Sequence, residues 1–311
     1  SDEILSGHDI SSGGFITSIL EMNFPNITCG MELNLDGFNE DDIVKIFFNE
    51  SPGIIIQIKK EGVERLTNEK IEFINLGKLI KDRKLKLHHN RKVFTLDIDH
   101  FRDVWFKTSF LLDKEQTNKD ESKLRFLNYK KQNLKYKFPK SFTGKIKNIP
   151  HKKNITAAVI REKGINSERE MAYMLHLTGF EVKDVHMTDL VSGRENLENV
   201  NMVIFPGGFS NSDVLGSAKG WAGAFKYNEK AKKAIDKFYS RSNTLSLGVC
   251  NGCQLMMELN LIDNTLNGNH PKMERNNSKK FECTFSGIDI LESNAVMLKN
   301  LSGSTLGIWS A

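Results

Sequence analysis

No stretch of the sequence reaches 18 consecutive apolar residues, which excludes a membrane-spanning helix and removes the membrane from the expected partners. The amino end, Ser1-Asp2-Glu3-Ile4, offers neither an initiator methionine nor a basic apolar leader, so the chain is expected to be a piece of a longer one. Cysteine is scarce. Cys29, Cys250, Cys253 and Cys283 are scattered along the chain, which fits a reducing compartment and a cytoplasmic location. Neither a second CxxC nor an HxxxH accompanies Cys250 and Cys253, so a four-ligand zinc site is weakly supported. What is present is ordinary globular material: 311 residues with 39% apolar content, enough for about two domains.

Charge is unevenly spread. Residues 114 to 153 hold 13 Lys and Arg against 3 acids, about +10, while the whole chain carries +5. Such a run can grip nucleic acid, but no aromatic platform or nucleic-acid motif accompanies it. It reads instead as a solvated connector, with no nucleic-acid partner.

The stretch with most chemical content runs from Thr244 to Met257. Leu245 to Val249 has the length of a strand buried on both faces, and Gln254 to Leu259 keeps apolar residues at helical spacing. Cys250 then falls on the turn between strand and helix, with Gly248 and Gly252 removing side chains that would crowd the backbone. Unpaired N–H groups at the start of the helix favour thiolate over thiol, which makes Cys250 a candidate nucleophile. Two plainer readings compete: an inert, small apolar cysteine, and a redox dithiol formed with Cys253.

Upstream, Gly7-His8-Asp9-Ile10-Ser11-Ser12-Gly13-Gly14 leads into an amphipathic helix ending near Met22. A polar, glycine-bearing turn at a helix start suits an anion; Asp9 could hold Mg²⁺ and Ser11 could contact phosphate. Simple capping by Ser11 or Ser12 is the alternative. Strands are predicted at Gly30 to Leu35, Pro52 to Ile58, Glu72 to Leu79 and Val93 to Leu96, with a helix at Glu40 to Phe48. Residues 1–100 thus form an α+β layer, and residues 101–153 form a basic helical linker.

A second domain is predicted over residues 154–311. Ile155 to Ile160 reads as a buried strand, Ser167 and Glu170 as the capping box of a helix, and Phe180 to His186 and Met202 to Phe205 as further strands. The glycine loop Pro206-Gly207-Gly208-Phe209 follows, and two helices precede the strand at Leu245. The pattern is α/β, a doubly wound and mostly parallel sheet that binds ligands at the carboxyl ends of its strands. Both the glycine loop and Cys250 fall at those ends. A thiolate attacking an amide generates an oxyanion, for which the N–H of Asn251 and those of Gly208 or Phe209 are the candidate donors.

These residues resemble a family. Gly248-x-Cys250-x-Gly252-x-Gln254 is similar to the nucleophile elbow of class I glutamine amidotransferases, and Pro206 to Phe209 to their oxyanion loop. Arg161-Glu162-x-Gly164-x-Asn166-Ser167, Asp184-Val185-His186-Met187, Gly208-Phe209-Ser210-x-x-Asp213 and Gly220-Trp221-Ala222 narrow the resemblance to the large single-chain phosphoribosylformylglycinamidine synthases. His8-Asp9-x-Ser11-x-Gly13-Gly14 and Phe48-Asn49-Glu50 resemble the aminoimidazole-synthetase-like half of that family.

The resemblance implies a partial synthetase domain joined to a flavodoxin-like class I glutaminase, truncated at its carboxyl end. It implies glutamine and formylglycinamide ribonucleotide as substrates, ATP and Mg²⁺ as cofactors, and ammonia channelled within the intact protein. By residue it implies Cys250 as nucleophile, Gly208, Phe209 and Asn251 near the oxyanion, Gln254 near glutamine, Ser11 at the nucleotide and Asp9 at the metal.

The sequence also departs from the family. Ser12 stands where it usually has Asp, and Asn211-Ser212 where it has Tyr-Gly. None of the eight histidines precedes a glutamate by two residues, the pair the family uses as base and acid. His176 and His186 read as structural, and the isolated chain is expected to be inactive. The competing class is a non-catalytic amidotransferase-like or DJ-1-like domain with a redox-sensing cysteine.

Overall fold

A computed structural model of the chain describes residues 3–131, 134–145, 149, 155–262 and 270–310. The predicted domain start at Asn154 and the end of the basic stretch at Lys153 lie outside the described residues. The chain forms two compact units, Ser1–Lys131 and Gln132–Ala311.

The first unit contains β1 (Ile4–Asp9), α1 (Gly14–Asn23), β2 (Gly30–Asn34), α2 (Ile43–Phe47), β3 (Ile54–Ile58), α3 (Lys60–Asn68), β4 (Gly77–Ile80), β5 (Lys84–His89), β6 (Lys92–Asp97), α4 (Ile98–Gln116) and α5 (Lys119–Asn128). Strands β4-β2-β5-β6 make one sheet, and β1 and β3 make a separate antiparallel pair. Phe15 and Ile19 of α1 pack on Leu33, Leu85 and Leu87 of the sheet and on Ile98 of α4. The apolar run ending at Ile58 is less covered than predicted, with Ile54 78% exposed, because β3 has a single strand partner among the described residues.

The predicted linker is, in its first part, folded structure. Trp105 of α4 donates its indole N–H to Glu21 of α1 at 2.8 Å and lies 5.5 Å from Phe24. Helices α4 and α5 are pinned by Arg125 to Asp113 at 2.8 Å and by Phe106 against Tyr129 at 4.1 Å. Burial, reinforced by the Asp103 carboxylate that accepts its hydrogen bond, pushes the Tyr129 phenol up to about 12. Basic residues of this stretch are thus partly spent on internal carboxylates.

The second unit contains β7 (Thr156–Arg161), α6 (Glu168–Leu177), β8 (Glu181–His186), α7 (Met187–Ser192), β9 (Met202–Phe205), α8 (Lys219–Tyr227), α9 (Glu229–Tyr239), β10 (Leu245–Gly248), α10 (Asn251–Glu258), β11 (Thr284–Asp289) and β12 (Thr305–Ser310). Four strands form an all-parallel sheet in the order β10-β9-β7-β8, as the alternation of strands and helices predicts. Successive residues of β7 and β9 face opposite sides. Ala158, Ile160, Val203 and Phe205 pack against Trp221, Phe225 and Phe238, whereas Ala157, Val159, Met202 and Ile204 pack with Leu175 of α6. Both faces are therefore covered, which is why these strands are short apolar runs. Among the described residues strand β10 pairs only with β9, and its residues are half-buried, less covered than predicted.

The predicted capping box at Ser167 is absent. Ser167 adopts φ 64° and makes no side-chain cap, because the preceding residues are drawn onto the glycine loop: Asn166 N–H donates to Gly207 O at 3.0 Å. The capping box forms instead at α7, where His186 caps the helix and Asp189 accepts from the His186 N–H at 3.0 Å.

Candidate active site

Strand register builds the site. Gly248 pairs with Phe205, so β9 and β10 end level, and the Val249 N–H extends the ladder to Phe205 O at 3.0 Å. The two loops that follow, the glycine loop and the cysteine turn, must then leave the sheet side by side. A Cβ placed on Gly207 would sit 3.1 Å from Cys250 Cβ and 3.8 Å from its Sγ.

Cys250 itself adopts φ 52° and ψ −112° immediately before α10. That backbone is unfavourable for a residue with a side chain, costing about 1–3 kcal/mol, and persists because its flanks permit nothing else. A Cβ on Gly248 would lie 2.6 Å from Gly252 O, and one on Gly252 would lie 1.9 Å from Phe205 O, so both positions hold α10 tight against the strand ends. The turn leaves Cys250 exposed. Cys253, one turn into the helix, is half-buried; burial pushes its thiol up, and Cys250 beside it adds to the shift.

Of the predicted oxyanion donors, two are available and one is not. Among the described residues the N–H groups of Gly208 and Asn251 have no protein acceptor. The Phe209 N–H, by contrast, donates to Gly164 O at 2.8 Å, so it is spent on holding the loop. Gly208 needs to be glycine: φ is +120°, and a Cβ would meet Asn166 N and Gly164 O at 2.7 Å. The Phe209 ring is half-exposed, 5.8 Å from Phe281.

Asn251 contributes more than its backbone. Its side chain is buried, at 1% exposure. Its Oδ1 accepts from the Ser210 N–H at 3.1 Å, and its Nδ2 donates to Asp213 at 3.2 Å and to Gln254 Oε1 at 2.8 Å. Gln254 thus comes to the site as a partner of Asn251. Asp213, Asn166 and Gly164 form part of the supporting structure, yet sequence reasoning gave them no role; they stand in the motifs but far from Cys250 in the chain.

Neither predicted structural histidine approaches the sulfur as a base. His186 ends β8, which is separated from β10 by two strands, about 14 Å at the usual strand spacing. Its Nδ1 accepts from the Thr188 N–H at 3.2 Å. His176 lies exposed on α6, not turned inward as its helical position predicts.

Asp9 and Ser11 belong to the first unit. Asp9 ends β1 with its side chain 79% exposed, and its carbonyl accepts from Ser18 Oγ at 3.2 Å. Ser11 contributes its carbonyl to the Gly14 N–H at 2.9 Å. The helix start predicted to take an anion already has one: Glu50 Oε1 accepts from the Gly13 N–H at 2.8 Å. Gly13 is the N-cap residue, so neither Ser11 nor Ser12 caps the helix with its side chain. Among the described residues no group of three or more His, Cys, Asp or Glu could hold a metal ion. Asp9 can offer one carboxylate to a Mg²⁺ carried by phosphates, but these residues build no cation centre of their own.

Among known proteins, the description of CobB/CobQ-like glutamine amidotransferase domains matches residues 154–311. Over 99% of its length the chain is 34% identical to 23% of a protein of Arabidopsis thaliana named probable phosphoribosylformylglycinamidine synthase, chloroplastic/mitochondrial. It is 35% identical, over 99% of its length, to 25% of the phosphoribosylformylglycinamidine synthase of Dictyostelium discoideum, and 32% identical, again over 99%, to 25% of that of Homo sapiens. The chain therefore spans about a quarter of the length of these relatives. A solved structure described as PurLQS from Thermotoga maritima is 24% identical, covering 50% of this chain and 66% of that one, with a TM-score of 0.40.

Proposed function

The chain belongs to the family of CobB/CobQ-like glutamine amidotransferase domains, and from that membership we propose that it carries the glutamine-hydrolysing centre of a phosphoribosylformylglycinamidine synthase. The carrying observation is the exposed Cys250 on a strained turn, beside a glycine loop whose Gly208 N–H, with that of Asn251, has no acceptor among the described residues.

In this reading the Cys250 thiolate attacks the side-chain amide carbon of glutamine, and the carbonyl oxygen becomes an oxyanion facing the N–H groups of Gly208 and Asn251. Collapse expels the amide nitrogen, which takes up a proton from solvent as it leaves as ammonia, and a thioester remains. Water then releases glutamate and regenerates the thiol. Splitting one difficult hydrolysis into two steps is what covalent catalysis contributes, and each preplaced donor is worth about 10²- to 10³-fold. In the whole protein ATP would supply the phosphoryl group on which the amide oxygen of formylglycinamide ribonucleotide leaves as phosphate, with ammonia taking its place; Asp9 would help hold Mg²⁺ and Ser11 would contact the nucleotide. Passage of ammonia within the protein, the nucleotide contact of Ser11, the metal contact of Asp9 and a cytoplasmic location belong to the same proposal. Four free cysteines fit a reducing compartment of any kind. The redox-sensing alternative is not favoured, because the relatives that match 99% of the chain are named as synthases.

Because none of the eight histidines precedes a glutamate by two residues, the 311-residue chain alone is expected to release glutamate no faster than its Cys250→Ala variant. An electrophilic glutamine analogue tests the binding site directly. Peptide mass spectrometry should find it on Cys250 in preference to Cys283, which is also exposed, with free glutamine protecting. Equal labelling of both cysteines, or no protection, overturns the proposal.

A further inference from the structure

The loop that follows Gly208 is held in an unusual way. Asn211, Ser212 and Asp213 adopt φ of 51°, 57° and 50°, three successive non-glycine residues in the left-handed region. Each such residue costs about 1–2 kcal/mol relative to the right-handed conformation, and they normally occur singly. Some fixed set of contacts must pay for this arrangement. On one side Asn211 N–H donates to Lys163 O at 2.7 Å. On the other stands a chain of side-chain bonds: Ser210 N–H to Asn251 Oδ1 at 3.1 Å, and Asn251 Nδ2 to Asp213 Oδ1 and Oδ2 at 3.3 and 3.2 Å. Asp213 Oδ1 also accepts from the Ala218 N–H at 3.0 Å, closing the loop on itself.

The polarity of this chain admits one arrangement. A backbone N–H can only donate and a carboxylate can only accept, so the Asn251 amide must point its oxygen at Ser210 and its nitrogen at Asp213. Reversing the amide would oppose donor to donor at Ser210 and oxygen to oxygen at Asp213. The Ser210 N–H and the Asp213 carboxylate together therefore fix which way the buried Asn251 amide faces, and Gln254 Oε1, accepting from the same Nδ2 at 2.8 Å, suits that orientation too. That amide in turn fixes Ser210, two residues from Gly208.

We propose that Asp213 is a positioning residue: through the Asn251 amide it locks the glycine loop to the cysteine turn, so that the Gly208 N–H faces Cys250. The inference rests on the glutaminase reading for its catalytic consequence, but the mechanical link stands on its own. A displacement of about 1 Å at such a site can cost about 10²-fold in rate.

Exchanging the two partners tests both parts. Asn251→Asp sets a carboxylate against the Asp213 carboxylate. The double variant Asn251→Asp with Asp213→Asn keeps an acceptor for Ser210 and restores a donor between positions 213 and 251, removing the repulsion that would push residue 251 off the Ser210 N–H. Backbone amide exchange of the full chain should show protection at Ser210 lost in Asn251→Asp and regained in the double variant, whatever glutamine does. Unchanged protection in Asn251→Asp, or no recovery in a folded double variant, overturns the link.

Labelling of Cys250 by the glutamine analogue is then compared with labelling by iodoacetamide. In Asn251→Asp the limiting analogue rate should fall about 10²-fold while the iodoacetamide rate falls far less, with recovery in the double variant. A limiting rate that stays at wild type while Ser210 protection is lost overturns the positioning role. Should wild type show no glutamine-protected labelling, the glutaminase reading fails separately, and the exchange data still decide the link. If Asn251→Asp does not fold, Asp213→Ala, which removes the acceptor without adding charge, serves the same comparison with the same expected losses.

Discussion

Cys250 is held at φ 52° and ψ −112°, a backbone that glycine adopts freely and cysteine does not. Replacing it separates chemistry from strain. Cys250→Ala keeps the strained backbone, whereas Cys250→Gly relieves it, so the glycine variant should unfold at higher urea than the alanine variant, by about 1 kcal/mol or more. Cys253 gives a second test at the same scale. Because burial raises its thiol, the native chain keeps that proton to higher pH than the unfolded chain, and the stability tied to it falls as pH rises through the ordinary thiol range. Alkylation followed by peptide mass spectrometry should modify Cys253 more slowly than the exposed Cys250 and Cys283 near neutral pH, with the gap narrowing as pH rises. The small residues around Cys250 make the turn legible in the sequence, since glycine on both sides of one cysteine has few other uses. The fate of the Phe209 N–H was not legible. Its acceptor, Gly164 O, lies 45 positions earlier, and no local pattern announces that a loop will dock there.

Helix α10 meets the end of β9 through Gly252, where an added methyl would lie 1.9 Å from Phe205 O. Gly216 has φ +76° but nothing within 4 Å of its virtual Cβ. Chemical denaturation should therefore show Gly252→Ala losing more than 2 kcal/mol, through displacement of the helix, and Gly216→Ala losing only about 1 kcal/mol, through backbone strain alone. The parallel sheet was readable because its strands, buried on both faces, are uninterrupted apolar runs such as Met202 to Phe205. Strands with other compositions were missed. Strand β1 is polar, and β5 alternates Lys with Leu, so the inward Leu85 and Leu87 are diluted by outward lysines. The pair β11 and β12 is joined by register, Phe285 opposite Trp309, and neither strand is apolar enough to declare itself alone. Ser167 followed by Glu170 satisfies the local rule for a capping box, but the Asn166 bond to Gly207 overrides it.

Each of the two units has its own buried interior: Phe15, Leu85 and Ile98 in one, Val203, Phe205 and Trp221 in the other. Calorimetry should resolve two unfolding transitions. Leu85→Ala is expected to lower only the first unit's transition and Phe225→Ala only the second's, each by about 3–4 kcal/mol; a single transition shifted equally by both would contradict this. Residues 101–131 pack as part of the first unit, which the sequence obscures because lysine-rich helices look like solvated tether. The level ending of β9 and β10 has a last implication. Spacing between the sulfur and the loop that faces it is set by the rungs of the sheet, like marks on a ruler, and owes nothing to the length of chain joining the two strands. Insertions in the excursion through α8 and α9 can accumulate without disturbing that gap, whereas sliding one strand by a single residue would turn its apolar side chains to the wrong face and move the gap at once.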